Sequence, residues 1–188
     1  NRLAAYRPYA KQAEFHAAGA THRERLFLAG NQLGKTLCAS FETAMHLTGR
    51  YPSWWQGRRW DRPVVAIGGS ESGELTRDGM QRLLVGSPKV EADWGTGYIP
   101  KDLLIDWSRK NGVADALDSV TVKHVNGGAS TFGFKSYDQG RAKWQANTVD
   151  WVWFDEEPPL DVYSEGITRT TATGGSSSLT FTPLQGQS

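Results

Sequence analysis

The sequence predicts an α/β domain in which a mostly parallel sheet is covered by helices on both faces. Short apolar runs alternate with helical patterns along the chain, and most of these runs look buried on both sides. A length of 188 residues fits one domain, residues 1–188, and is enough to bury a core without a disulfide or a structural metal.

The predicted elements follow in order. Residues 1–24 have a helix-like apolar spacing that ends near Gly19, and residues 25–29 form an apolar run typical of a buried strand. A glycine-rich turn then leads into a helix that begins at Lys35 and ends at Gly49. The remaining predictions are a strand at 63–67, a helix at 74–86, a hairpin around 126–128, a strand at 149–154, a helix at 161–171, a flexible loop at 173–178 and a last strand that stops at Pro183.

Composition narrows the possible functions. A net charge of +1 excludes a uniformly basic coat for nucleic acid, although it allows a local basic patch. Cys38 is the only cysteine, which excludes an internal disulfide and indicates a reducing compartment. No apolar run approaches the ~18 residues of a membrane span. The chain starts with Asn1 rather than Met, so we expect it to be part of a longer protein.

Tryptophan is frequent, with 8 residues, and three of them lie close together among arginines and prolines. Trp54, Trp55 and Trp60 fit either the packing of large rings or a surface that stacks on nucleic acid or contacts a partner. The sequence alone leaves both interpretations open.

The first motif that carries chemistry is AGNQLGKT, residues 29–36, between a predicted strand and a predicted helix. In that setting, backbone N–H groups and the helix N-terminus cradle the phosphates of a nucleotide. Lys35 would reach the β- and γ-phosphates, and the Thr36 hydroxyl would bind Mg²⁺. Ala29 stands where the usual pattern has its first glycine. The candidate ATP-binding residues of this loop are Gly30, Asn31, Gln32, Leu33, Gly34, Lys35 and Thr36.

The second motif is DWVWFDEEPP, in which a strand delivers two carboxylates at its C-terminal end. Ligands bind at that end of the strands in an open α/β sheet. Asp155 suits Mg²⁺ binding, and Glu156 suits the base that orients and deprotonates the attacking water. Glu157 competes for the base role, but the two prolines after it indicate a loop residue.

Three further residues are weaker candidates. The Gln12 amide would read the edge of adenine, Arg141 would meet transition-state charge, and Thr182 would sense the γ-phosphate at the end of the last strand. On chemistry alone, an exposed helix residue, a surface cation and a turn after a strand are the stronger interpretations.

Taken together and in this order, these motifs resemble the ATPase domain of the large terminase subunits of tailed bacteriophages. The resemblance rests on YRPYAKQAEFH, AGNQLGKT, NGGASTFGFKS before a Gly-Arg loop, VWFDEEPP and LTFTPLQG, and it spans essentially the whole chain. It implies a P-loop NTPase fold of the additional-strand, catalytic-glutamate (RecA-like) type that hydrolyses ATP with Mg²⁺.

The resemblance also implies roles for individual residues. It assigns Gln12 to adenine, Lys35 and Thr36 to phosphate and Mg²⁺, Asp155 to Mg²⁺, Glu156 to catalysis and Thr182 to coupling of hydrolysis with movement. Many family members carry an arginine at the position of Asn31, so no arginine acting in cis is carried over from there. We therefore predict that Arg141 acts on the nucleotide of a neighbouring subunit.

The same resemblance implies the biological setting. The expected partners are double-stranded DNA, the portal protein and the small terminase subunit, in the host cytoplasm and transiently on the procapsid. We expect a monomer in solution, a ring on the procapsid, and a nuclease domain further along the full-length chain. Two alternatives stay open, a helicase-like ATPase and a nucleotide-binding module that docks on the portal without hydrolysis.

Overall fold

In the part of the chain that the structure describes, seven strands form one sheet, with helices in several of the connections. The computed structural model describes residues 2–28, 34–146 and 148–182. The strands are β1 (Glu24–Leu28), β2 (Val65–Ser70), β3 (Leu104–Arg109), β4 (Leu117–Lys123), β5 (Ala129–Ser136), β6 (Trp151–Asp155) and β7 (Ser176–Phe181). The helices are α1 (Arg2–Ala5), α2 (Ala10–Ala18), α3 (Gly34–Thr48), α4 (Gly73–Thr76), α5 (Arg82–Leu84) and α6 (Leu160–Thr170). A π-helical turn, Arg77–Gln81, joins α4 to α5, and 3₁₀ turns occupy Glu91–Asp93, Tyr137–Gln139 and Arg141–Trp144.

The strand order is β1-β7-β6-β2-β5-β4-β3, and it confirms the prediction of a mostly parallel sheet. The first five strands in this spatial order, β1, β7, β6, β2 and β5, are all parallel to their neighbours. At the far edge, β4 pairs antiparallel with both β5 and β3. β4 and β5 form the predicted hairpin, in which Gly127 and Gly128 adopt φ values of 99° and 84°. Only glycine takes such values readily, which explains why the turn has two of them.

The two faces of the sheet are covered by different helices. On the central strand β6, Trp151 and Trp153 belong to the large core beneath α3, and the Trp151 indole donates to Thr43 of that helix at 2.9 Å. Val152 and Phe154 point the other way and pack with Val162 of α6. This alternation is the period-two pattern of a strand buried on both sides. Within the described ranges, no helix is long and apolar enough to cross a membrane.

A cluster of buried charged side chains ties α2, β1 and α3 together beside the sheet. Glu42 is 1% exposed, forms an ion pair with Arg25, and is hydrogen-bonded to His16 at 2.8 Å and to His46 at 3.1 Å. Burial alone would oppose ionisation, but the Arg25 charge and the hydrogen bonds from Arg25, His16 and His46 hold the pKa of Glu42 well below its usual range. We call these four residues the Glu42 cluster.

The prediction of a flexible loop at 173–178 is wrong for its second half. Ser176, Ser177 and Ser178 are buried residues of β7, which lies between β1 and β6 in the sheet. Glycine and serine are typical of linkers, but their small size also suits a strand enclosed between two others. Composition therefore could not separate the two cases.

Two other regions differ from the predicted elements. β3 has no counterpart in the prediction, because five of its six residues are at the surface and its sequence lacks an apolar run. The predicted helical region at 1–24 forms two short helices, α1 and α2, with Pro8 in the segment between them. Proline lacks the N–H and clashes with the preceding turn, so it breaks a continuous helix here.

The structure decides between the two interpretations of the tryptophan-rich segment in favour of packing. Trp55 and Trp60 are buried in the core beneath α3, and Trp54 packs against it. Arg58 lies 3.8 Å from the centre of the Trp60 ring, so the arginine covers this ring from solvent. The buried rings are not available to stack on nucleic acid bases.

Candidate active site

The candidate catalytic residues meet at the carboxyl edge of the sheet. Lys35 and Thr36 lie in the first turn of α3, while Asp155 ends β6 and Glu156 follows it. β7 runs parallel to β6 with Thr180 opposite Asp155, so Thr182 emerges at the same edge. Because β1, β7 and β6 are adjacent and parallel, their carboxyl ends bring residues about 120 positions apart in sequence into contact.

The two predicted carboxylates contact the two predicted phosphate-loop residues. The Lys35 ammonium lies 3.0 Å from Glu156 Oε1. The Thr36 hydroxyl donates to Asp155 Oδ1 at 3.3 Å, a long hydrogen bond. The backbone N–H of Thr182 approaches Glu156 Oε2 at 3.3 Å. These five residues, Lys35, Thr36, Asp155, Glu156 and Thr182, form what we call the acidic site.

Thr180 is a member of this environment that the sequence did not suggest. Its hydroxyl lies 2.9 Å from Asp155 Oδ1 and also accepts a hydrogen bond from the Trp153 indole at 2.9 Å. The signal for it is the pairing register of β6 and β7, which places Thr180 directly opposite Asp155. That register is not visible in a sequence without the strand order.

The chemistry around Asp155 suits a hard divalent cation. Loss of hydration raises the pKa of Asp155 above its usual value, against the opposing effects of the Lys35 charge and the hydroxyls of Thr180 and Thr36. A carboxylate of this kind gains from a nearby cation, and hydroxyl and carboxylate oxygens are the ligands that Mg²⁺ prefers. Among the described residues, no three or more His, Cys, Asp or Glu side chains are grouped where they could hold a metal ion.

Glu156 has an unusual backbone conformation for its residue type. Its φ is 72°, in the left-handed region, and its N–H donates to the carbonyl oxygen of Thr180 at 2.7 Å. Non-glycine residues in that region are uncommon and concentrate at functional sites. The conformation therefore agrees with a functional role for this residue.

Gln12 belongs to α2 and is buried against the start of α3 rather than exposed on the helix surface. Its amide nitrogen donates to the carbonyl oxygen of Gly34 at 2.9 Å, and its amide oxygen accepts from the N–H of Tyr9 at 3.1 Å. The Tyr9 hydroxyl would lie 2.7 Å from a Cβ added to Gly34, so a larger residue there would displace the end of the Tyr9 side chain. Gln12 also lines an open cavity of about 470 Å³, together with Arg2, Ala5, Tyr6, Arg7, Tyr9, Gly34, Leu37, Phe41 and Tyr98.

Arg141 lies apart from the acidic site in this structure. It begins a 3₁₀ turn and lines a small surface cavity with Asp161, Ser164, Glu165 and Thr168 of α6. Four other candidate residues of the phosphate loop, Gly30, Asn31, Gln32 and Leu33, lie outside the described residues.

Comparison with known proteins places this geometry in a family. Residues 26–187 match the family model for the N-terminal part of the terminase large subunit, T4likevirus-type. The chain belongs to the terminase large-subunit family. It is 44% identical to the terminase large subunit of Salmonella phage P22, and the match covers 97% of this chain and 40% of that protein.

Solved structures of a terminase share the fold. The large terminase of a thermophilic bacteriophage matches with a TM-score of 0.61 at 13% identity, covering 94% of this chain and 40% of that one. The same thermophilic phage terminase in complex with ADP matches with a TM-score of 0.53 at 15% identity, covering 93% and 38% of the two chains. The chain thus spans about 40% of the length of the terminases that it matches.

Proposed function

We propose that this chain is the ATP-hydrolysing motor domain of a terminase large subunit, which drives double-stranded DNA into the procapsid. The observation that carries the proposal is the contact of Lys35 with Glu156 at 3.0 Å, beside that of Thr36 with Asp155. A lysine for phosphate, a hydroxyl and carboxylate for a metal, and a second carboxylate for water are the parts that ATP hydrolysis needs.

The strand order supports a P-loop fold of the additional-strand, catalytic-glutamate type. β7 lies between β1, which precedes the phosphate-loop motif, and β6, which ends in the acidic pair. The proposed additional strand is β7. With β7 between β1 and β6, Glu156 would act beside Lys35. Thr182 follows β7 and lies at the same edge of the sheet.

ATP would bind with its base near Gln12 and its phosphates at the start of α3. The open cavity beside Gln12 is lined by the exposed ring of Tyr9, which suits a planar base. The Gln12 amide donates one hydrogen to Gly34, and its second amide hydrogen would meet the adenine edge. The ADP complex of the thermophilic phage terminase supports a nucleotide as the ligand.

In the proposed mechanism, the arrival of the γ-phosphate changes the partner of Lys35. The ammonium leaves Glu156 for the phosphate, and the Glu156 carboxylate then accepts a proton from the attacking water. Thr36 and Asp155 would hold Mg²⁺, which neutralises charge on the phosphates when it is bound. Because Glu156 also contacts the Thr182 N–H, a change in the position of Glu156 on ATP binding or hydrolysis would change the position of Thr182 after β7.

Arg141 would act between subunits. Its exposed side chain lines a surface cavity beside α6, where it is accessible to a neighbouring subunit. An arginine supplied in trans is worth ~10³–10⁵-fold in rate. We therefore infer a monomer in solution that hydrolyses ATP slowly, and a ring on the portal that hydrolyses it fast.

The remaining parts of the proposal come from family membership. The partners would be double-stranded DNA, the portal protein and the small terminase subunit, in the host cytoplasm and on the procapsid. A nuclease domain would belong to the full-length protein, since this chain matches only about 40% of the phage P22 terminase large subunit.

Phosphate release by matched variants tests the proposal. Lys35→Ala should weaken ATP binding, whereas Glu156→Gln should leave binding close to wild type and lower hydrolysis by ~10²-fold or more. Glu157→Gln is the control, since Glu157 is the exposed neighbouring carboxylate, and its hydrolysis rate should match wild type. Equal hydrolysis by Glu156→Gln and wild type would contradict the proposal, as would a loss in Glu157→Gln instead.

A further inference from the structure

The side chain of Tyr137 contacts the backbone of two residues of the acidic site, Asp155 and Glu156. Its hydroxyl donates to the carbonyl oxygen of Glu156 at 2.5 Å and lies 3.1 Å from the carbonyl oxygen of Asp155. Successive carbonyl groups of a regular strand point to opposite sides. One hydroxyl therefore contacts both only where the chain turns sharply, as it does here at the end of β6.

This turn depends on the left-handed conformation of Glu156, whose φ is 72°. The peptide groups on both sides of the residue are held. Its N–H donates to Thr180, and its carbonyl oxygen accepts from Tyr137. A strained conformation of this kind persists only when the surrounding structure fixes it.

The turn determines where the Glu156 carboxylate points. In an extended strand, adjacent side chains point to opposite faces of the sheet. Here Asp155 contacts Thr36 and Glu156 contacts Lys35, so both carboxylates face the first turn of α3. The left-handed residue brings the second carboxylate to the side of the first.

Tyr137 is itself rigidly placed. Its ring is 7% exposed and packs beside Trp144, at a ring-centre distance of 5.7 Å, and near Phe154 at 6.5 Å. A tyrosine hydroxyl keeps its proton at neutral pH, so Tyr137 donates to the carbonyl oxygen of Glu156.

We propose that Tyr137 is a positioning residue for ATP hydrolysis, which holds Glu156 in the turn that aims its carboxylate at the γ-phosphate side of the site. This inference rests on the proposed function. It assigns no contact between Tyr137 and ATP, so the tyrosine should affect the chemical step and leave nucleotide binding unchanged.

The test is Tyr137→Phe in the full chain, because phenylalanine keeps the ring packing and removes only the hydroxyl. We expect kcat for ATP hydrolysis to fall about 10- to 100-fold, since small displacements of a catalytic group have effects of that size, while KM and ATP affinity change less than about twofold. Tyr163→Phe is the matched control. It removes a hydroxyl that bonds Glu24 at 2.6 Å, at the amino end of β1, and its kcat should equal wild type.

Several outcomes would overturn the inference. A Tyr137→Phe protein with wild-type kcat would do so, as would one whose ATP affinity falls together with its melting temperature. If Tyr137→Phe does not fold, adding Glu156→Gly should restore folding, because glycine adopts the left-handed turn without support; no restoration would also overturn it. Glu156→Gln distinguishes failure of this inference from failure of the proposed function. Full hydrolysis by Glu156→Gln would refute the proposed function. Loss of hydrolysis in Glu156→Gln together with wild-type kcat in Tyr137→Phe would refute only the role of Tyr137.

Discussion

Replacing Glu42 with glutamine should destabilise the fold strongly, although the two side chains have nearly the same shape. Glu42 is 1% exposed and accepts hydrogen bonds from the buried Arg25 guanidinium. A glutamine amide is neutral, and its NH₂ group donates where the carboxylate accepted. Arg25 would remain buried without a counter-charge, and breaking a buried pair in this way costs about 3–5 kcal/mol.

The effect should depend on pH in a defined direction. The folded state lowers the pKa of Glu42 below the reference value of 4.5, so its contribution to stability is fully present above that pH and is lost as the pH falls below it. The difference in free energy of unfolding between wild type and Glu42→Gln should therefore be largest near pH 7. It should shrink progressively below pH 4.5.

Urea unfolding at a series of pH values measures the loss of unfolding free energy in Glu42→Gln and the dependence of that loss on pH. The control is Glu91→Gln, which breaks an ion pair with Arg109 in which both side chains are more than half exposed, so that variant should lose no more than about 1 kcal/mol. A loss for Glu42→Gln as small as that of the control, or a difference from wild type that grows toward acid pH, would refute the reasoning.

Two predictions concern the nucleotide. Gln12→Ala should reduce the preference for ATP over GTP by about 1–3 kcal/mol in competition binding, because a buried polar partner of the base is lost; an unchanged preference would leave Gln12 only its bond to Gly34. Arg141→Ala should retain ATP binding but abolish the rise in specific activity on assembly, and mixing it with Glu156→Gln should partly restore that activity. An assembled Arg141→Ala protein with wild-type turnover would rule out action in trans.

The acidic site was largely predictable because its residues belong to local sequence patterns. Gly-Lys-Thr after an apolar run and two carboxylates at the end of another apolar run each have a physical reason for their position. A parallel sheet places the carboxyl ends of its strands at one edge, so the fold class alone predicts that Lys35 and Glu156 lie close together. Gln12 is buried beside Gly34 rather than exposed, and its functional role and its contact with adenine stay predictions.

What the sequence did not reveal depends on pairing between distant segments. Thr180 gains its role from the register of β7 against β6, and Tyr137 from the turn after β5 that brings it beside Glu156. Tyr137 belongs to none of the motifs, and Thr180 lies within LTFTPLQG, where the sequence pointed to Thr182 instead. The serines of β7 were misread for the same reason, since their burial results from the two strands beside them.

The pairing of Lys35 with Glu156 has a consequence for how the proposed motor idles. Without nucleotide, the carboxylate that would deprotonate water is neutralised by the very ammonium that ATP would draw away. The base is thus released by the arrival of its own substrate, with no need for a separate covering segment. In an empty subunit of a ring the base would stay paired, and each cycle would begin when Lys35 exchanges Glu156 for the phosphate.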